Sequence, residues 1–165
     1  MIILAILLSI ILAIMTPEIL KRSRKRKKQR ALAKSYERLV LKNKLSVEET
    51  LVFNNRVIGL DRKNRKLVLI DHHKEVMLEH CVVLDQLESC ELVRQKDETK
   101  RCTAGFFIEF TYKRNEGTVK FSFFDETRDK ILEKPGLVKK AQYWKRKIDM
   151  HRMEGRISSE FEFVL

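Results

Sequence analysis

The N-terminal fifteen residues constrain this chain more than any later segment. Met1–Met15 is a run of Ile, Leu, Ala and Met broken only by Ser9, and ten of the fifteen residues are Ile or Leu. On an insertion scale of about −0.3 to −0.6 kcal/mol per residue, ten such side chains contribute about −3 to −6 kcal/mol toward the bilayer. Extension to Leu20 gives about 30 Å of helix, the thickness of a hydrocarbon core. Thr16-Pro17-Glu18 has the order of an N-cap, a first helical residue and a first-turn acid. That order predicts a kink or a helix restart at the interface, where Glu18 reaches water. A cleaved signal peptide is the rival reading. It needs a basic n-region and a small-residue cleavage site, and the run is neither preceded by Lys or Arg nor followed by an A-x-A pattern. No cysteine lies near the segment to carry a lipoprotein anchor.

The span is followed at once by Lys21, Arg22, Arg24, Lys25, Arg26, Lys27, Lys28 and Arg30, with no acid among them. By the positive-inside rule this flank puts the N-terminus outside and the rest of the chain in the cytoplasm, as a single-pass protein of the cell (inner) membrane. The same residues are expected to lie against anionic headgroups, each contributing on the order of 1 kcal/mol. They serve either as a stop-transfer and topology signal or in specific lipid or nucleic-acid capture, the first being the expected role. The charge is local. Residues 1–45 hold twelve of the 35 basic residues and only two of the 23 acids, whereas residues 46–165 carry a net +2. A basic nucleic-acid-binding domain is therefore not expected, and nucleic acid is not an expected partner. Cys81, Cys90 and Cys102 are odd in number and form no C-x-x-C. They suit a reducing compartment and read as small buried hydrophobes.

The segmentation is a span at 1–20, a basic juxtamembrane helix at 21–45, a folded domain at 46–152 and a tail at 153–165. Leu32, Tyr36, Leu39 and Val40 stand at i, i+4, i+7 and i+8, an apolar helical stripe that ends near Asn43. It packs either on the domain or against another chain. Ser46-Val47-Glu48-Glu49 matches a capping box, although Thr50–Phe53 is strand-like. Phe53–Leu60 and Lys66–Asp71 flank a polar turn and predict a hairpin. Val76–Leu84 and Ser89–Arg94 follow as strands. Gly105–Lys113 places Phe106, Ile108, Phe110 and Tyr112 on one face, and Thr118–Phe124 places Val119, Phe121 and Phe123 on one face. This alternation predicts antiparallel strands with one buried face. Leu137, Ala141, Trp144, Ile148 and His151 then follow helical spacing, with Pro135 at the start and Gly155 at the end.

The expected fold is α+β: about six strands in an antiparallel sheet or barrel, capped by a C-terminal helix. The hairpins RVIGLDRKNRKLVLID and GFFIEFTYKRNEGTVKFSFFD and the helix GLVKKAQYWKRKIDM resemble a pleckstrin-homology-like (PH-like) domain over about residues 50–152. The layout is similar to that of bacterial membrane-anchored members of the class. The resemblance implies a binding or scaffolding module, not an enzyme. It also implies phosphate ligands in the first hairpin turn, to which Arg62, Lys63, Arg65 and Lys66 correspond. The residues by themselves, with Asp61 beside them in a near-neutral domain, better suit a solvated turn.

Asp71-His72-His73 spells a phosphoesterase tripeptide, but the further aspartates and α/β scaffold of that chemistry are not evident. His80-Cys81 could donate two metal ligands with His72 or His73 across a hairpin, though without zinc spacing. No G-x-S-x-G, Walker A, G-x-G-x-x-G or H-E-x-x-H occurs. No catalytic residue, metal or cofactor is expected. In the tail, Phe161, Phe163 and Leu165 alternate with Glu160, Glu162 and Val164. They read as a frayed end, an extra strand, or a strand added to a partner's sheet. Three functional readings follow. The first is a module holding a protein or anionic membrane lipid at the membrane. The second is a subunit of a membrane complex that makes contact through the juxtamembrane helix. The third is a tethered hydrolase using His72, His73 or His80.

Overall fold

The structure, a computed structural model, describes residues 22–23, 25–73, 75–96, 103–113 and 117–162. The apolar segment 1–20 and Lys21 and Arg24 lie outside the described residues. No helix among the described residues is long and apolar enough to cross a membrane.

Helix α1 spans residues 25–42. It ends without a glycine. Lys44 takes φ +50° while Leu45 N–H donates to Val40 O (2.9 Å) and Lys44 N–H to Leu41 O (3.2 Å). This is the Schellman arrangement, and Asn43 Nδ2 binds Leu39 O (2.9 Å) beside it. The matching capping box at Ser46 starts no helix. Ser46 N–H is taken by Asp61 Oδ2 (2.7 Å), and the chain enters a strand at Glu49.

Seven strands follow. β1 (Glu49–Phe53), β2 (Arg56–Asp61), β3 (Lys66–His73) and β4 (Val76–Val83) form one antiparallel sheet in that order. β5 (Leu87–Lys96), β6 (Thr103–Tyr112) and β7 (Thr118–Asp125) form a second. The two sheets do not close into a barrel. The reading of Phe53–Leu60 as a single strand is corrected. The chain reverses at Asn54-Asn55, with φ +40° and +62°, so the first hairpin is β1–β2. Asparagine tolerates the left-handed region that a two-residue turn of this hand requires. The extra strand arises there.

β2 is buried at every position, because its sheet is covered on both faces. One face sends Ile58, Leu60, Leu67, Leu69 and Val82 into the main core, against Phe106, Ile108 and Phe110 of β6 and Phe121 and Phe123 of β7. The other sends Val57, Val68 and Ile70 against Leu32, Leu39 and Leu45. The juxtamembrane stripe thus packs on its own domain. Aromatic contacts link the sheets: Phe53 of β1 stacks on Phe123 of β7 at 5.2 Å. A register shift between Phe106 and Phe107 turns two successive residues, Phe123 and Phe124, inward.

Helix α2 (Lys134–Glu162) closes the core with Leu137, Ala141, Trp144 and Ile148, the spacing read from sequence. It does not stop at Gly155. The chain stays helical to Glu162, which replaces the strand reading of the tail up to that residue. A glycine costs a helix about 1 kcal/mol, which weakens a helix without obliging it to end.

Gly59 marks how closely the connector between α1 and β1 packs on β2, with α1 in ordinary contact beside it. A Cβ there would meet Val47 Cγ1 at 3.0 Å and Tyr36 Cε2 at 3.5 Å. Gly59→Val is expected to destabilise the protein by about 1–3 kcal/mol through overpacking. The variant should show a lower urea midpoint by Trp144 fluorescence and faster proteolysis between residues 25 and 45. Wild-type behaviour in both would refute close packing at this point.

Candidate functional site

The four basic residues of the predicted phosphate turn do not form a free cluster. They lie in the second hairpin turn, β2–β3, not the first. Asp61 builds this turn: its carboxylate is buried and accepts from Asn64 N (2.8 Å), Asn64 Nδ2 (2.7 Å) and Ser46 N (2.7 Å). Burial pushes its pKa up, but these hydrogen bonds together outweigh burial and hold it below the ordinary carboxylate value. Arg62 pairs with Glu48 (3.2 Å) and lies 4.0 Å from Glu49. Arg65 pairs with Asp85 (2.7 Å). Lys66 begins β3 opposite Val83, and Lys63 is exposed. Two of the four cations are thus matched by carboxylates of the same chain.

The basic stretch is divided. Arg22, Lys25, Arg26, Lys27, Lys28 and Arg30 are described, and all are exposed except the half-buried Lys28. From Lys25 onward the stretch is part of α1, and α1 is locked to β4 by polar contacts. Ser35 Oγ donates to Glu79 Oε1 (2.6 Å) and Arg38 pairs with the same carboxylate. Tyr36 Oη shares a hydrogen bond with Thr50 Oγ1 (2.9 Å). The direction of α1 follows from its two ends. Lys28 lies 4.0 Å from Glu75 in the β3–β4 turn, and Asn64 Nδ2 reaches Lys44 O (3.5 Å). The Arg62–Lys66 turn therefore stands at the far end of α1 from its basic start.

A buried polar assembly centred on Arg56 was not legible in the sequence. Arg56, the first residue of β2, is fully buried. Its Nη1 donates to both oxygens of Asp129 at 3.0 Å, and its Nε lies 3.7 Å from Asp71. Arg128 Nη1 donates to Asp71 Oδ2 (3.0 Å), and its second terminal nitrogen also pairs with that carboxylate. Asp129 accepts further from Asn54 Nδ2 (2.9 Å) and Asp125 N–H (2.9 Å), and Asn54 also donates to Glu133 (2.8 Å). Two arginines and two aspartates thus join the β1–β2 turn, the end of β3 and the β7–α2 connector. Burial pushes Asp125 up, but bonds from Thr127 and the charges of Arg128 and Arg56 leave it below its usual range. Burial pulls Arg128 down, but Asp71 with Asp125 and Asp129 raises it overall. A sequence signal existed in Arg56 and Asp71, charges at the ends of otherwise apolar strands. Nothing local named their partners.

The histidines do not converge. His80 faces Leu69 and His72 faces Met77, and alternation along the strands puts His72 and His80 on opposite sides of the sheet. His73 shares a side with His80, but its register position is four residues away, roughly 13 Å at strand rise. No group of three or more His, Cys, Asp or Glu among the described residues is placed to hold a metal. Burial pushes the Cys90 thiol up to about 12 and raises Cys81 as well. Both are protonated near neutrality and behave as core packing. Cys102 lies outside the described residues. In the tail, Phe161 falls within α2, while Phe163 and Leu165 lie outside the described residues.

Compared with family models, curated proteins and solved structures, the chain matches none.

Asp129→Asn leaves the buried Arg56 without its bidentate partner and is expected to cost about 3–5 kcal/mol in urea unfolding. The double replacement Arg56→Met, Asp129→Leu is expected to recover much of that loss. Equal losses in the single and double variants would show that the pair does not act as a unit. Asp61 and Asp125, whose carboxyls are lowered on folding, contribute stability that is complete above the unfolded value of about 3.9. That contribution is lost as pH falls through their folded values. The unfolding midpoint should hold across neutral pH and drop below about pH 4, with a shallower drop in Asp61→Asn.

Proposed function

We propose that this chain is a single-pass membrane-anchored binding module. Its PH-like domain is held against the cytoplasmic surface of the cell membrane and retains a protein or an anionic lipid there. The observation that carries this reading is the docking of α1. The basic segment next to the apolar run is no loose tether. It runs into a helix whose Leu32 and Leu39 are buried on the domain's own sheet and whose Ser35 and Arg38 bind Glu79. A domain attached in this way keeps one end toward whatever surface the preceding segment enters. Sheets of four and three antiparallel strands, closed by a C-terminal helix with its single Trp inward, support the PH-like part. A binding role is favoured over a reaction because the acids and histidines that first suggested chemistry are scattered or tied into structural pairs.

The reading as a regulatory or structural subunit, with contact through Leu32–Leu45, loses much of the surface that motivated it. Leu32 and Leu39 are already buried inside the chain, and Leu41 is the large apolar side chain of α1 that stays exposed.

The full chain is expected to remain in the membrane fraction after alkaline carbonate extraction. Protease should reach its C-terminal domain only from the cytoplasmic side. Quantitative mass spectrometry of detergent-solubilised protein should recover a stoichiometric protein or an enrichment of anionic lipid. Leu32→Asp with Leu39→Asp should loosen α1 and lower that recovery without releasing the chain from the membrane. Release by carbonate would overturn the anchor. Clean recovery of the chain alone would overturn the binding role.

A further inference from the structure

We propose that the pocket between the start of α1, the β1–β2 turn and the β7–α2 connector is a phosphate-binding site. It takes the phosphate of an anionic lipid headgroup or of a soluble phosphate compound. Its volume is about 460 Å³, and it is lined by Lys25, Lys28, Asn54, Asn55, Arg128, Asp129, Lys130 and Glu133. A cavity of this size accommodates a headgroup-sized ligand. Four lining residues are cationic and two are acidic, and both acids are already engaged. Asp129 is held by Arg56, Asn54 and the Asp125 N–H, and Glu133 accepts from Asn54. Arg56 lies buried behind the lining and offsets Asp129. Lys25 and Lys130 are exposed and have no ion pair among the described residues, and Lys28 has only the distant, exposed Glu75. Three lysines and Arg128, whose guanidinium is paired with Asp71, thus line one concavity, residue types that anionic oxygens attract.

Position favours the same ligand chemistry. Lys25 follows the expected span, which ends at Leu20, by five residues. Even a fully extended chain of that length spans at most about 18 Å. The pocket is therefore within reach of headgroups if residues 1–20 span the bilayer, and the lipid source of the phosphate rests on the proposed membrane function. The Arg62–Lys66 turn sits at the opposite end of α1, about 27 Å of helix away. The assignment moves the anion site from that turn to residues contributed by three separate elements.

The test uses the full chain in nanodiscs of phosphatidylcholine, with or without phosphatidylglycerol, with amide hydrogen exchange read by mass spectrometry. Phosphatidylglycerol should slow exchange at residues 53–56 and 126–131 and leave residues 62–66 unchanged. Lys25→Ala with Lys130→Ala should weaken the response about thirtyfold, the change expected for two basic contacts, while β6 exchange stays as in wild type. Inorganic phosphate and glycerol 3-phosphate, titrated onto the phosphatidylcholine discs, read the soluble source. Protection by these alone supports the pocket with a soluble ligand. No protection by lipid or by phosphate overturns the site. Protection at 62–66 in place of the pocket overturns the site and leaves the membrane function standing. A chain that stays out of the discs overturns the membrane function, and phosphate titrated onto that soluble chain still decides the pocket.

Discussion

The buried guanidinium of Arg56 is the constraint around which the rest of the molecule is arranged. A fully buried arginine must have its charge matched, since an isolated one would cost more than a small domain has in reserve. Asp129 supplies the match with both oxygens, and Asp71 stands beside it. The pairing fixes where the β7–α2 connector lies and therefore where α2 begins. It also brings the Asn54-Asn55 turn, the end of β3 and the connector to one corner. Such a pair contributes little net stability compared with apolar packing, but an arrangement of the connector that withdraws Asp129 leaves the buried Arg56 charge without that partner. The other end of β2 is closed by the same means. Asp61 is buried there and satisfied by Asn64 and Ser46. A strand with a buried charge at each end has only one register that matches both.

Between these ends, β2 is covered by α1 on one face and by the main core on the other. The double cover makes α1 part of the domain, although its basic start reads as membrane flank. Gly59 leaves room for Val47 of the α1–β1 connector, and the Ser35 and Arg38 contacts with Glu79 fix rotation about the helix axis. The mechanical consequence is direct. The orientation of α1 and of the four-stranded sheet are one quantity, so whatever holds the first turns of α1 also sets which corner of the domain faces it. That corner is the one organised by Arg56.

The contrast between the two candidate anion sites shows how charge in a sequence differs from charge in a fold. Arg62-Lys63-Asn64-Arg65-Lys66 is dense in cations, yet Glu48, Glu49 and Asp85 come from neighbouring elements to meet Arg62 and Arg65. Lys25, Lys28, Arg128 and Lys130 are spread over more than a hundred positions, yet the fold gathers them around one pocket. Local density says how many charges a segment carries. Only topology says which of them are already paired.

Much of the architecture was determined by residues acting within one element. The alternation of Phe106, Ile108, Phe110 and Tyr112 marks a half-buried strand, the spacing of Leu137, Ala141, Trp144 and Ile148 marks the helix that closes the core, and the stripe at Leu32 and Leu39 marks a helix seeking an apolar surface. Periodicity is a property of the local backbone, so it is written in the local sequence. What required the tertiary structure depended on partners distant in the chain or on backbone hand. The turn at Asn54-Asn55 lacks glycine, and asparagine's tolerance of the left-handed region is a weaker sign of reversal. Gly155 fails to end α2 because its cost is small beside the helix that continues through it. The sheet on which the Leu32 stripe would settle, and the partners of Arg56, were decided by long-range pairing. Burial converts an unmatched charge into a large penalty only once the fold has removed its water, and no pattern along the chain records which residue will then be opposite.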